Sequence, residues 1–241
     1  MLSAIKTEFL KLKRNSLIIV CLSSSFLFTL LAVLKDVAFP SGVERINQED
    51  WLIEMLRISN FLVIFFLSSM VLGYLIHREY SDRTIKNLLV TGVPRTKIIV
   101  AKLIVWLLLH CLIYLFTFIV VYLGYRQIFD LQDLSFADIS IKFLISTVTI
   151  AFVLLPLGWI GVRQRQLFYP TILVGILLAV LTVIGVSLPG SWPVIIPWSA
   201  AFSLTAIDLS GSELWIAWLS VSTTAIAGLL LTIVAFKRQE I

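Results

Sequence analysis

Six runs of apolar residues, each about 18 to 26 long, take up most of this chain, and no other feature restricts its fold so tightly. A helix rises 1.5 Å per residue, so about 20 apolar residues cross a hydrocarbon core roughly 30 Å thick. The runs lie at about 17–34, 58–76, 98–123, 139–162, 170–187 and 214–236. Inside a bilayer every backbone polar group must be satisfied within the protein, which leaves helices as the simplest solution for runs of this length. The expected fold is therefore an all-α polytopic membrane protein with six transmembrane helices. Residues 1–241 read as a single transmembrane domain, because six spans leave no stretch for a separate soluble one. The first run follows Lys11, Lys13 and Arg14, as a signal peptide would, but it is long and ends at Leu34-Lys35-Asp36 without a small-residue cleavage site. It reads as an uncleaved span.

Composition agrees. Hydrophobic residues make up 59% of the chain and charged residues 14%, with a mean hydropathy of +1.02. Soluble domains carry about 25% charged residues. A net charge of +5 would suit nucleic acid, but the basic residues flank the apolar runs, as the positive-inside rule requires, and no nucleic-acid partner is expected. Residues 1–16, 77–97 with Lys102, 163–169 and 237–241 hold 14 of the 19 basic residues. With six spans, both termini are expected on the cytoplasmic side of the plasma (inner) membrane. Ten of the 14 acidic residues lie on the other side, among them Glu44, Glu49, Asp50, Glu54, Asp130 and Asp133. Carboxylates collect wherever Lys and Arg are excluded. They would also form an outer vestibule attractive to cations. Cys21 and Cys111 sit inside apolar runs and read as buried small hydrophobes.

The spans are unequal. Pro156 and Gly158 should kink or shorten the fourth, and Pro170 suits the first helical position of the fifth. Residues 188–205, SLPGSWPVIIPWSAAFSL, are apolar but too broken for a straight span. They are expected as short or re-entrant helices at the outer interface, before the last span, anchored by Trp192 and Trp198. The amino-terminal stretch from Leu2 to Lys13 shows Leu2, Ile5, Phe9 and Leu12 on one stripe, with Lys6, Lys11, Lys13 and Arg14 as its polar side. It reads as an amphipathic helix in the inner headgroup region.

The stretch from His77 to Leu103, HREYSDRTIKNLLVTGVPRTKIIVAKL, is the most specific segment. Ser81 or Asp82 would cap a short helix, Gly92 would stop it and Pro94 would prevent its continuation. Ile85, Leu88 and Leu89 fall on one apolar stripe, with Arg83, Lys86 and Asn87 off it. Ten residues make a rod of roughly 15 Å, too short to span. On periodicity alone it would lie on the cytoplasmic surface, its basic face against anionic headgroups.

Glu79-Tyr80, Arg83-Thr84, Lys86-Asn87-Leu88-Leu89, Gly92, Arg95 and Lys102 together resemble the first cytoplasmic loop of ABC-2-type exporter permeases. The resemblance is greatest to small six-span permeases of lantibiotic-immunity and bacitracin-resistance transporters. It implies that Asp82 to Thr91 form the coupling helix, which docks in a cleft of a separate ABC ATPase subunit. Arg83 and Lys86 would meet carboxylates there, and Ile85, Leu88 and Leu89 would fill the cleft. Glu79 would pair with Arg83, at i and i+4, or with another basic residue of the loop. It further implies a second permease copy or a paralogue as partner, and export of a peptide antibiotic or bacteriocin for self-immunity or resistance. A lipid or hydrophobic-drug exporter and a non-transporting partner of a sensing complex are the alternatives.

Residues 92–97, GVPRTK, lack the G-x-x-x-x-G-K-[ST] spacing of a phosphate loop. No cofactor is expected on this chain; ATP and Mg belong to the partner. An intramembrane enzyme would need a nucleophile–base pair or several metal ligands, and the two histidines, His77 and His110, do not supply them. His110 and Cys111 are adjacent and point about 100° apart on a helix. Within the spans, His110 and Asn60 are the candidates for a transport pathway. For both, and for Ser68 and Ser69, bonding one helix to another is the commoner use. Glu54 and Arg57 read as an outer-face ion pair, and Met55 and Met70 as packing residues.

Overall fold

A computed structural model of the chain describes residues 2–12, 15–39, 46–81, 94–129, 134–164 and 169–238. The described residues are helical, without a strand. They form α1 (Leu2–Leu12), α2 (Ser16–Ala38), α3 (Gln48–Ser81), α4 (Arg95–Ile128), α5 (Phe136–Arg163), α6 (Tyr169–Val186), α7 (Trp192–Ile195), α8 (Pro197–Ala206) and α9 (Gly211–Lys237). Six of them, α2 to α6 and α9, are long and apolar enough to cross a membrane.

The span α3 is the axis of the bundle. In its apolar window 67% of residues are buried, against 28% in α2, α6 and α9. It packs against α4, α6 and the last turns of α5, while α2 lies along α4. At 34 residues, α3 starts ten residues before the expected apolar run, for a reason hydropathy alone does not register. Trp51, Leu52, Met55, Leu56 and Ser59 form one buried stripe, whereas Glu49, Asp50 and Arg57 are exposed. This first part is amphipathic, and its polar face projects beyond the hydrocarbon. One π-helical turn, Asn60–Ile64, joins it to the fully apolar part. Such turns widen a helix by one residue and recur at functional sites.

Pro156 breaks the fourth span as its missing N–H requires. The helix runs Phe136–Leu154, turns, and resumes at Leu157–Arg163. The break is packed, not loose: a Cβ placed on Gly228 of α9 would stand 2.5 Å from Pro156 N. The broken stretch before α9 forms α7 and α8, with Pro197 opening α8. Only ten residues long, α8 wedges between α5, α6 and α9 with Ala200, Ala201 and Ser203 buried. Thr149 Oγ1 donates to Ala201 O at 3.1 Å. Non-spanning backbone is tolerated at membrane depth because protein surrounds it.

Two expectations need correction. Cys111 faces outward and is exposed, because its position on α4 turns away from α3, and only Cys21 is buried. The inward stripe of α1 is Ile5, Glu8 and Leu12, not one that includes Phe9, which is exposed. A carboxylate occupies the centre of a face that hydropathy would assign to aliphatic residues.

Candidate functional site

Asp82, Arg83, Thr84, Ile85, Lys86, Asn87, Leu88, Leu89 and Gly92, the heart of the expected coupling helix, lie outside the described residues. The structure does describe the two feet on which that segment stands. Ser81 closes α3, so it belongs to the span. Pro94 precedes α4, and Arg95 Nη1 donates to Lys237 O at 3.0 Å, which sets the start of α4 beside the end of α9.

Between these feet lies a knot of buried charge. Lys102 of α4 is 2% exposed. Its ammonium donates to Glu79 Oε1 at 3.0 Å, Glu8 Oε2 at 2.9 Å and Leu75 O at 3.0 Å, so each of its three protons has an acceptor. Lys11 completes the ring with Glu79 Oε1 at 2.7 Å and Glu8 Oε1 at 3.0 Å. Two carboxylates and two ammonium groups balance, which is the condition for burying charge near a membrane. Burial works against the charge of Lys11. The hydrogen bonds and negative charges of Glu79 and Glu8 outweigh that, so its pKa lies above the ordinary 10.5. Arg78 Nη1 adds a bond to Lys11 O at 2.9 Å. The knot ties α1, α3 and α4 together around one point.

Among the described residues Glu79 is ion-paired with Lys102, which lies within the stretch 77–103, and with Lys11 of α1, while Arg83 lies outside the described residues. The physical reason for the first pairing is that Glu79 is on the buried face of α3, directly opposite a lysine one to two turns inside the next span. Asn15, whose Oδ1 caps α2 at Leu17 N at 2.9 Å, also binds the Tyr74 hydroxyl and adds a second tie from the amino-terminal region to α3.

Deeper in the bundle the polar groups are neutral. His110, 1% exposed, has its Nδ1 2.7 Å from Ser68 Oγ and its Nε2 3.1 Å from Thr147 O. A neutral ring protonated at Nε2 satisfies both contacts, with the Ser68 hydroxyl donating to Nδ1. Trp106 Nε1 donates to Ser68 O at 2.9 Å, and the ring of His110 packs between those of Trp106 and Tyr114. One turn on, Tyr114 donates its hydroxyl to Asn60 Oδ1 at 2.7 Å, and Asn60 Nδ2 donates to Ser146 Oγ at 3.0 Å. His110 and Asn60 thus meet in one column that bonds α3, α4 and α5 side by side. In this conformation both are used for packing.

A cleft of about 80 Å³ opens next to the column at the end opposite the charge knot. Arg57, Asn60, Phe61, Phe65, Ala179 and Thr182 are among its walls, from the π-helical turn of α3 and from α6. Arg57 also forms the expected ion pair with Glu54. Trp192 is exposed on α7, while Trp198 on α8 is half-buried against the core.

Glu8 and Lys11 had no place in the sequence-based account of this site, although one signal pointed to them. Lys102 interrupts an apolar run, and an ionisable residue in such a run needs a counter-charge. Glu8 is one of only four acidic residues on the basic side of the chain.

The family described as "ABC-2 family transporter protein" matches residues 4–182. A relative from Bacillus licheniformis, the bacitracin transport permease protein BCRB, is 27% identical over 182 residues, which is 73% of this chain and 84% of that protein. The matched stretch runs from α1 into α6 and contains both the charge knot and the neutral column.

Proposed function

This chain belongs to the ABC-2 family of transporter proteins and is a membrane permease subunit of an ATP-binding-cassette transporter. We propose that it couples ATP hydrolysis on a partner ABC ATPase to the export of an amphipathic substrate, foremost a peptide antibiotic or bacteriocin. ATP and Mg would bind the partner. Residues 82–91 would be the coupling helix, with Arg83 and Lys86 against carboxylates of the ATPase. A second permease copy or a paralogue would complete the pathway, and the termini would be cytoplasmic.

The observation that carries this reading is the brace between the two helices that flank residues 82–93 in the chain. Glu79, just before the segment, and Lys102, just after it, are ion-paired at 3.0 Å. A displacement of the segment by the ATPase would therefore move α3 and α4 as one body, and α1 with them through Glu8. Such a rigid element is what turns a local push into movement of spans. The peptide cargo is suggested by the relative named for bacitracin transport. The carboxylate excess at the opposite end would favour a cationic one. An apolar cargo, lipid or hydrophobic drug, is favoured by a different observation: Phe61, Phe65, Ala179, Val183, Val186 and Phe202 make most of the wall of the cleft beside Asn60.

The test is a pull-down of the tagged chain from native membranes, with ATPase activity assayed on the eluate. A stoichiometric nucleotide-binding partner that is lost on reversing charge at Arg83 and Lys86 supports the coupling role. An eluate in which the reversed variant keeps its ATPase would falsify it. ATP-dependent movement of labelled bacitracin, compared with a labelled lipid, in proteoliposomes separates the two cargo readings.

A further inference from the structure

Helices α5 and α9 touch closely and then leave a cleft between them. At Gly228 an added Cβ would stand 2.5 Å from Pro156 N, and at Gly158 one would stand 2.9 Å from Thr232 Oγ1. One turn nearer the basic end, a space of about 430 Å³ lies between the last turn of α5 and the end of α9. Its walls divide in character. Val162, Leu231 and Val234 are apolar, whereas Arg163 and Arg238 are exposed cations, one at the end of each helix. The guanidinium of Arg163 sits 5.6 Å from the centre of the Trp159 ring, which holds it toward the cleft by a cation–π contact. Among the described residues, no carboxylate lines this space.

We infer that the α5–α9 cleft binds one anionic phospholipid, its phosphate between Arg163 and Arg238 and its acyl chain along Val162, Leu231 and Val234. Guanidinium groups bind phosphate through paired N–H donors and are less strongly hydrated than ammonium, so they suit a site at the edge of the hydrocarbon. Basic pockets between spans are where anionic headgroups bind. The apolar wall selects a lipid over a soluble phosphate, which would leave that wall in water. A lipid seated there would bridge the ends of the two helices, beyond their close contacts at Gly158 and Gly228. It would thus brace the lower half of the fourth span. This site is at the end of the bundle that holds the charge knot but involves none of its residues.

The test uses the full chain in a neutral detergent, titrated with phosphatidylglycerol and, separately, phosphatidylcholine, with bound lipid read by native mass spectrometry. The wild type should retain one phosphatidylglycerol in preference to phosphatidylcholine. The R163Q/R238Q variant should bind it on the order of thirtyfold more weakly, from two basic residues near the headgroup. If the double variant does not fold, R238Q alone, at the exposed end of α9, should weaken binding roughly fivefold. K97Q, at the same end but outside the cleft, should bind as the wild type does. Equal retention by wild type and R163Q/R238Q overturns the assignment. So does displacement of the lipid by millimolar glycerol 3-phosphate, which would mark a site for soluble phosphate.

Discussion

The two polar clusters of this bundle solve the same problem in opposite ways. At the basic end, buried Glu8, Glu79 and Lys102 and half-buried Lys11 pair as opposite charges in a closed ring. In the middle, Asn60, Ser68, Trp106, His110, Tyr114 and Ser146 form a column of neutral hydrogen bonds. The difference follows depth. Near the end of a span, water and headgroups lower the penalty on an ion, and pairing removes most of the rest. At mid-membrane an ion costs far more, and neutral donors and acceptors suffice. The consequence is mechanical as well as energetic. Charges tie helices strongly over a few ångströms at the foot of the segment 82–93, while the column holds α3, α4 and α5 through several weaker bonds, any one of which can break without stranding a charge.

The largest expected effect tests that contrast directly. Lys102→Met would leave two buried carboxylates with Lys11 as their only counter-charge in the ring, at a cost of about 3–5 kcal/mol. Thermal unfolding of the detergent-solubilised protein should show a large drop in stability. Adding Glu79→Gln restores charge balance between Glu8 and Lys11 and should recover most of it. Equal destabilisation in the single and double variants would mean that the knot matters for its shape, not its charge.

A smaller effect is expected in the column. Ser68→Ala removes the donor to His110 Nδ1 but leaves Trp106 bonded to Ser68 O. The loss should be about 1 kcal/mol by the same unfolding measurement. A loss as large as that of Lys102→Met would erase the distinction between the two clusters.

The pH dependence sharpens the comparison further. The folded-state pKa of Lys11 is raised, so its stabilising contribution is complete below the unfolded value of 10.5 and is lost as pH rises through the higher folded value. The stability difference between wild type and Lys11→Met should stay constant from pH 7 to 10 and shrink above that. A difference that shrank toward acid pH would contradict the assignment. The smallest effect is expected at the opposite end, where Arg57 and Glu54 pair on the surface. Glu54→Gln should change stability by less than about 1 kcal/mol.

Much of this fold was legible in the chain because apolar length maps directly onto a span. Pro156 marked the break in the fourth span, and the prolines before the last span marked α7 and α8. The extended start of α3 was not, since Trp51, Leu52, Met55 and Leu56 are interleaved with charged residues that dilute mean hydropathy. The site was legible in part. Glu79, Arg95 and Lys102 belong to the quoted motif, and Asn60 and His110 stood out as polar residues within spans. Their partners did not, because Glu8 is 94 residues from Lys102 and Ser146 is 86 from Asn60. Hydrogen bonds over such separations leave no periodic trace.

By itself the sequence determined that this is a six-span helical membrane protein with one strongly basic end and a motif of the ABC-2 permease family. Those properties depend on local hydrophobicity and on charge next to each span, both of which are additive along the chain. Only the tertiary structure decided that Glu79 turns inward to Lys102, that Glu8 joins them from α1, and that His110 is bonded on both nitrogens. Each depends on which faces of different helices meet, and that is settled by packing around α3.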